Sequence, residues 1–95
     1  MMTLYVKYTA KPGMAHTFVE EAERSGVADM IRAEKGCLKY DYYYSAKDEN
    51  VILLIEQWVQ PEDQQVHMTQ PHMDTLREIK NKYIDSVVLG NEALR

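Results

Sequence analysis

A chain of 95 residues has room for one domain around one hydrophobic core. With 45% hydrophobic and 27% charged residues the composition is globular, which excludes an intrinsically disordered chain. Eleven basic residues against fifteen acidic ones leave a net charge of −4, and no Lys or Arg cluster interleaves with the aromatics, so neither a nucleic-acid nor a membrane-surface partner is expected.

Met1-Met2-Thr3-Leu4-Tyr5-Val6-Lys7 has no basic region followed by an apolar stretch, so no signal peptide is expected. Thr3 to Thr9 alternates, Leu4, Val6 and Tyr8 against Tyr5, Lys7 and Thr9, as a strand does. Lys11-Pro12-Gly13 is a turn, after which the period becomes helical through Met14, Phe18, Ala22, Val27, Met30 and Ile31. Ser25-Gly26 divides this stretch into two helical pieces, with Ser25 as a cap, and Gly36 ends it. Cys37 to Ser45 is a tyrosine-rich second strand, with Leu38, Tyr40, Tyr42 and Tyr44 on one side by parity. The lone Cys37 cannot form an internal disulfide and suits a reducing compartment; the expected location is cytoplasmic.

After the polar turn Ala46 to Asn50, a third strand runs from Val51 to Val59. Its apolar run Val51 to Ile55 is too short to span a bilayer. Pro61 opens a helix, Pro71 interrupts it, and a second piece continues through Met73, Leu76, Ile79, Lys80 and Tyr83. Ser86 to Leu89 is a short last strand and Gly90 to Arg95 a tail. The order β-α-β-β-α-β predicts a single α+β domain over residues 1–95, with a ferredoxin-like antiparallel sheet carrying helices on one face. Val51-Ile52-Leu53-Leu54-Ile55 is apolar on both faces, and too few helices exist to cover both, so a homodimer is expected over the open face.

The chemistry-bearing residues cluster in Glu56-Gln57-Trp58 and, nine positions after the Trp, His67-Met68-Thr69-Gln70-Pro71-His72. Glu56 and Trp58 share a strand face. Glu56 is either a functional carboxylate or half-wet and paired with Arg32 or Arg77. Trp58 either caps the core or presents its indole N–H at a pocket rim. On an unbroken helix His67 and His72 would diverge by roughly 140°, unsuited to one metal ion, and no metal is expected. Pro71 bends the chain between them, so that both can still approach one cavity. A His in a helix's first turn stays neutral and can take a proton, which favours His72; for His67 a surface role stands beside this one. His16 reads as solvated.

These pieces resemble the antibiotic biosynthesis monooxygenase family, in particular its small quinol-monooxygenase-like members. The resemblance lies in Lys11-Pro12-Gly13, Arg32-Ala33-Glu34-Lys35-Gly36-Cys37-Leu38-Lys39-Tyr40, Leu54-Ile55-Glu56-Gln57-Trp58 and His67-Met68-Thr69-Gln70-Pro71-His72-Met73. It implies a dimeric α+β barrel with a pocket between sheet and helices. It also implies a cofactor-independent monooxygenase, with dioxygen as co-substrate and a small quinol or phenolic aromatic as substrate. Trp58 and a tyrosine of the second strand, Tyr40 or Tyr42, would then contact the ring, His72 with His67 would manage the proton, and Glu56 would orient one of them. Asp63-Gln64-Gln65 departs from the small apolar residues of many relatives. Two alternatives stand beside this reading. An isomerase of a phosphorylated sugar-like signal would draw on Lys7, Lys39 and Arg32 for its phosphate, and a non-catalytic module would use the same pocket to bind a small ligand. A haem-degrading relative is disfavoured, because the first strand has no Asn.

Overall fold

The computed structural model describes residues 1–95. Strand β1 (Met2–Ala10) leads through the Pro12-Gly13 turn to helices α1 (Ala15–Arg24) and α2 (Val27–Arg32). Strands β2 (Cys37–Tyr44) and β3 (Val51–Trp58) form a hairpin, followed by helices α3 (Pro61–His67) and α4 (Met73–Tyr83). Strand β4 (Ile84–Leu89) and a 3-10 helix (Gly90–Leu94) complete the chain. The sheet is antiparallel in the order β2-β3-β1-β4, a ferredoxin-like α+β fold.

The even-numbered residues of β1 and β3 face the helices. Val6, Tyr8, Ile52, Leu54, Glu56 and Trp58 are all buried there, against Phe18, Ala22, Ile31, Leu76 and Ile79. The odd-numbered residues Tyr5, Lys7, Val51, Leu53, Ile55 and Gln57 on the other face are half-buried. Gly90–Leu94 is folded rather than a loose tail: Ala93 is buried and the Lys7 ammonium donates to the Arg95 carbonyl oxygen at 3.1 Å. This short helix covers part of the open face, beside Lys7 and Leu53.

Three local expectations need adjustment. A bulge between Cys37 and Lys39 inserts one residue opposite the Gln57–Trp58 step, so Leu38 swings out to solvent while Cys37 keeps to the helix side. Met30, assigned to the apolar stripe, is exposed, because α2 has only six residues and buries Val27, Ala28 and Ile31. The junction before α2 needs Gly26 as well as Ser25. Gly26 sits at φ 88°, where a side chain would be strained, and Ser25 Oγ accepts the Val27 N–H at 3.3 Å.

Arg32 ties the end of α2 to the sheet. Its two terminal nitrogens donate to both oxygens of Glu23 at 2.7 Å, and Nε donates to the Tyr40 carbonyl oxygen at 2.9 Å. Gly36, at φ +81°, lies directly against the Asp63 side chain of α3, where any Cβ would collide. These two anchors hold the connecting loop 33–36 over the start of the α3–α4 turn, and so position Glu34.

Candidate active site

Helix α3 is polar because it has one side chain to bury. Glu62, Gln65 and Val66 are exposed, and only His67, in its last position, is inside. The chain then turns through Pro71, which places His72 at the N-cap of α4. The turn brings the two imidazoles together on a third residue. Glu34 Oε2 accepts from His67 Nδ1 at 3.0 Å and from His72 Nε2 at 2.7 Å, with Glu34 itself only 10% exposed at its side chain. One carboxylate accepting from both rings requires an N–H on each. His67 therefore carries its proton on Nδ1, and Nε2 keeps its lone pair when the ring is neutral.

That free nitrogen faces the sheet. His67 is buried beside Trp58, ring centroids 4.8 Å apart, and edge-on to Tyr40 at 6.0 Å. Its Nε2 lies 4.0 Å from Glu56 Oε1, beyond hydrogen-bond reach. Glu56 Oε1 accepts the Trp58 indole N–H at 3.1 Å, a bond the shared strand face makes available. Burial raises the Glu56 carboxyl pKa; the Trp58 hydrogen bond and the nearby His67 act against the rise.

Glu56 and His67 open on a cavity of about 130 Å³ between sheet and helices. Tyr8, Tyr40 and Lys80 share its lining, and Leu4, Met73, Val87 and Leu89 supply apolar wall. A cavity of roughly 150 Å³ accepts a benzene ring, so this one is on the scale of a single six-membered ring. Burial lowers the pKa of Lys80, whose ammonium lies 5.3 Å from the centroid of the Tyr8 ring.

Six residues were singled out from sequence, and the structure distributes them unevenly. His67, Glu56 and Tyr40 line the cavity. Trp58 is fully enclosed behind Glu56, and His72 lies behind Glu34, away from the cavity lining. Tyr42 packs in the core against Tyr8, Phe18 and Tyr40, its buried hydroxyl near that of Tyr40 but without a well-formed hydrogen bond. Glu56 pairs with neither arginine: Arg32 is taken by Glu23 and Asp29, Arg77 by Asp74. His16 is exposed and stacks on Tyr44 at 3.8 Å. Glu34, Tyr8 and Lys80 escaped the sequence reading as site residues, although Lys80 falls within the apolar stripe of α4. No group of three or more His, Cys, Asp or Glu side chains is arranged to hold a metal ion. No helix is long and apolar enough to cross a membrane.

The sequence profile of the antibiotic biosynthesis monooxygenase family matches residues 1–78. The chain belongs to that family. Among solved structures it is similar to PA3566 from Pseudomonas aeruginosa, at 27% identity and a TM-score of 0.78 over 93% of this chain and 87% of that one. A Nitrosomonas europaea protein proposed to be an antibiotic biosynthesis monooxygenase gives 21% identity and a TM-score of 0.81, covering 93% and 84%. Rv0793 from Mycobacterium tuberculosis gives 20% and 0.77, covering 93% and 88%. The latter two share the fold with this chain at identities that carry no more than the fold. No curated protein matches the sequence significantly. The family's profile includes Glu34, Glu56 and His67 and stops short of Lys80 and β4.

Proposed function

We propose that this family member is a cofactor-independent monooxygenase acting on a small, single-ring quinol or phenol. The observation that carries the reading is the His67 imidazole, fixed at one nitrogen by a buried carboxylate and open at the other to a ring-sized cavity. An electron-rich aromatic that loses a proton becomes a reductant for dioxygen, so the protein has to bind the ring, take the proton and keep water out. His67 Nε2 takes the hydroxyl proton. Glu34 holds the opposite N–H and stabilises the imidazolium that forms, and the Trp58 and Tyr40 rings enclose it. Glu56, kept in place by Trp58, accepts a hydrogen bond from a second ring hydroxyl. The balance is quinol plus dioxygen giving hydroxyquinone plus water, with every electron supplied by the substrate and no external reductant.

The proposal includes a homodimer, supported by the half-buried apolar residues Leu53 and Ile55 on the open face of the sheet. A phosphate-binding alternative loses its three cations: Arg32 and Lys39 are engaged by carboxylates, Lys7 is on the opposite face, and none lines the cavity. The test is oxygen consumption by the purified, metal-free protein with a panel of monocyclic quinols. Uptake that falls roughly 10²- to 10⁴-fold in a folded His67→Ala protein is expected. No uptake above that variant across the panel overturns the oxygenase reading.

A further inference from the structure

Lys80 is the one lysine or arginine in the cavity lining, and no carboxylate makes a direct ion pair with it. It stands on the buried side of α4 with Met73, Leu76 and Ile79, and reaches over the Tyr8 ring toward the space that Glu56 and His67 share. None of the ion pairs of the structure includes it. Its neighbours on the same helix are satisfied elsewhere, Arg77 by Asp74 and Lys82 by Glu21. Glu56 is the carboxylate facing it across the cavity; its charge favours the ammonium from a distance, but its Oε1 is engaged by Trp58 and it makes no direct ion pair with Lys80. The other ionisable groups of the lining, His67, Tyr8 and Tyr40, carry no negative charge at neutral pH. A largely buried ammonium with no carboxylate in direct contact is costly, and an anion that enters the cavity and touches it offsets that cost.

We propose that Lys80 is the anion receptor of this cavity, and that the substrate is held with an ionised ring oxygen, a phenolate or enolate, against its ammonium. The inference rests on the aromatic-substrate reading above and adds its specificity. The favoured ligand is the monoanion of a ring carrying two oxygens: the ionised one meets Lys80 and the neutral hydroxyl donates to Glu56. In the ionisation step the substrate O–H bond breaks, the N–H bond forms at His67 Nε2, and the electron pair stays on the oxygen. Burial lowers the Lys80 pKa and the more distant Glu56 carboxylate acts against that shift; an anion in direct contact favours the charged form further. A neutral ring of the same shape gains nothing from Lys80.

The test uses 4-nitrophenol, whose phenolate absorbs visible light while the phenol does not, beside nitrobenzene as the neutral comparison. Bound to the wild-type protein, 4-nitrophenol is expected to ionise at a lower pH than it does free. In Lys80→Met, which keeps the stem and removes the charge, phenolate binding is expected to weaken roughly ten- to hundredfold, with nitrobenzene unchanged. Equal phenolate affinity in the two proteins overturns the proposal. So does bound 4-nitrophenol absorbing as the neutral phenol in the wild-type protein, a readout that needs no variant to fold. Binding is read here without turnover. A protein that shows this pattern and consumes no oxygen loses the oxygenase reading and keeps Lys80 as the receptor.

Discussion

Removing the Glu34 carboxylate should destabilise the protein as well as disarm the imidazole. Glu34→Ala deletes both hydrogen bonds, at 3.0 Å and 2.7 Å, and strands two N–H donors. His67 is 2% exposed at its side chain and cannot recruit water, so its donor bears the full desolvation penalty of about 1–3 kcal/mol. His72, at 12%, has partial access to water and contributes about 1 kcal/mol. Together these predict a loss of about 2–4 kcal/mol, out of a total stability of about 5–15 kcal/mol for a domain of this size. At about 4–8 °C per kcal/mol, the melting temperature should fall by roughly 8–32 °C. Urea denaturation of Glu34→Ala, His67→Ala and the double variant measures the loss and the coupling, expected at about 1–3 kcal/mol for partners in direct contact. Glu34→Gln separates the two roles. Its amide oxygen in the place of Oε2 can still accept from both rings, but the side chain no longer carries the negative charge that favours an imidazolium. Most of the stability should survive, with turnover down about a hundredfold or more. A Glu34→Ala protein within about 0.5 kcal/mol of wild type would refute the argument, because an enclosed imidazole cannot lose its partner at so small a cost.

Burial raises the native pKa of Glu56, so this carboxyl contributes stability below its unfolded pKa of about 4.3, and that contribution is lost as pH rises through the native value. Glu56→Gln, which can still accept the Trp58 N–H, should therefore equal wild type in acid and exceed it at neutral pH, as followed by denaturant melts across that range. Tyr42→Phe removes a buried hydroxyl whose one near polar neighbour is the Tyr40 hydroxyl, in poor hydrogen-bond geometry, and should change stability in urea by less than about 1 kcal/mol; a larger loss would reveal a strong bond between the two. Ile55→Asp on the open sheet face should convert a dimer to a monomer in analytical ultracentrifugation. A wild-type protein that already sediments as a monomer at micromolar concentration would remove the dimer from the proposal.

The elements were legible wherever a hydrophobic period was long and its breakers unambiguous. The alternation of β1, the Ser25-Gly26 interruption and Pro71 each act through local backbone chemistry that the sequence displays directly. Leu38 was misplaced because a bulge changes parity without changing composition. The site was harder to read. Glu34 sits in Arg32-Ala33-Glu34-Lys35, a run that reads as solvated charge, and its role arises from convergence with residues 33 and 38 positions away. Helix-terminus electrostatics correctly put His72 at the head of α4, but could not say that its ring turns toward Glu34 and leaves the cavity to His67. Lys80 left a trace, a charge in phase with Met73, Leu76 and Ile79; a lysine on a buried face is a feature to question rather than to attribute to a flexible stem.

The cavity is assembled from two parts of the chain. Glu34, Glu56 and His67 lie in the stretch that the family profile matches, while Lys80, Val87 and Leu89 lie beyond it. Strand β4 is held to the sheet by β1 alone, an edge that can be redrawn without disturbing the hairpin or the imidazole. One side of the cavity is thus closed by an edge strand and the helix before it. Exchanging residues 80–89 for those of a relative should change which ring is accepted while the hydrogen bonds from both imidazoles to Glu34 stay in place.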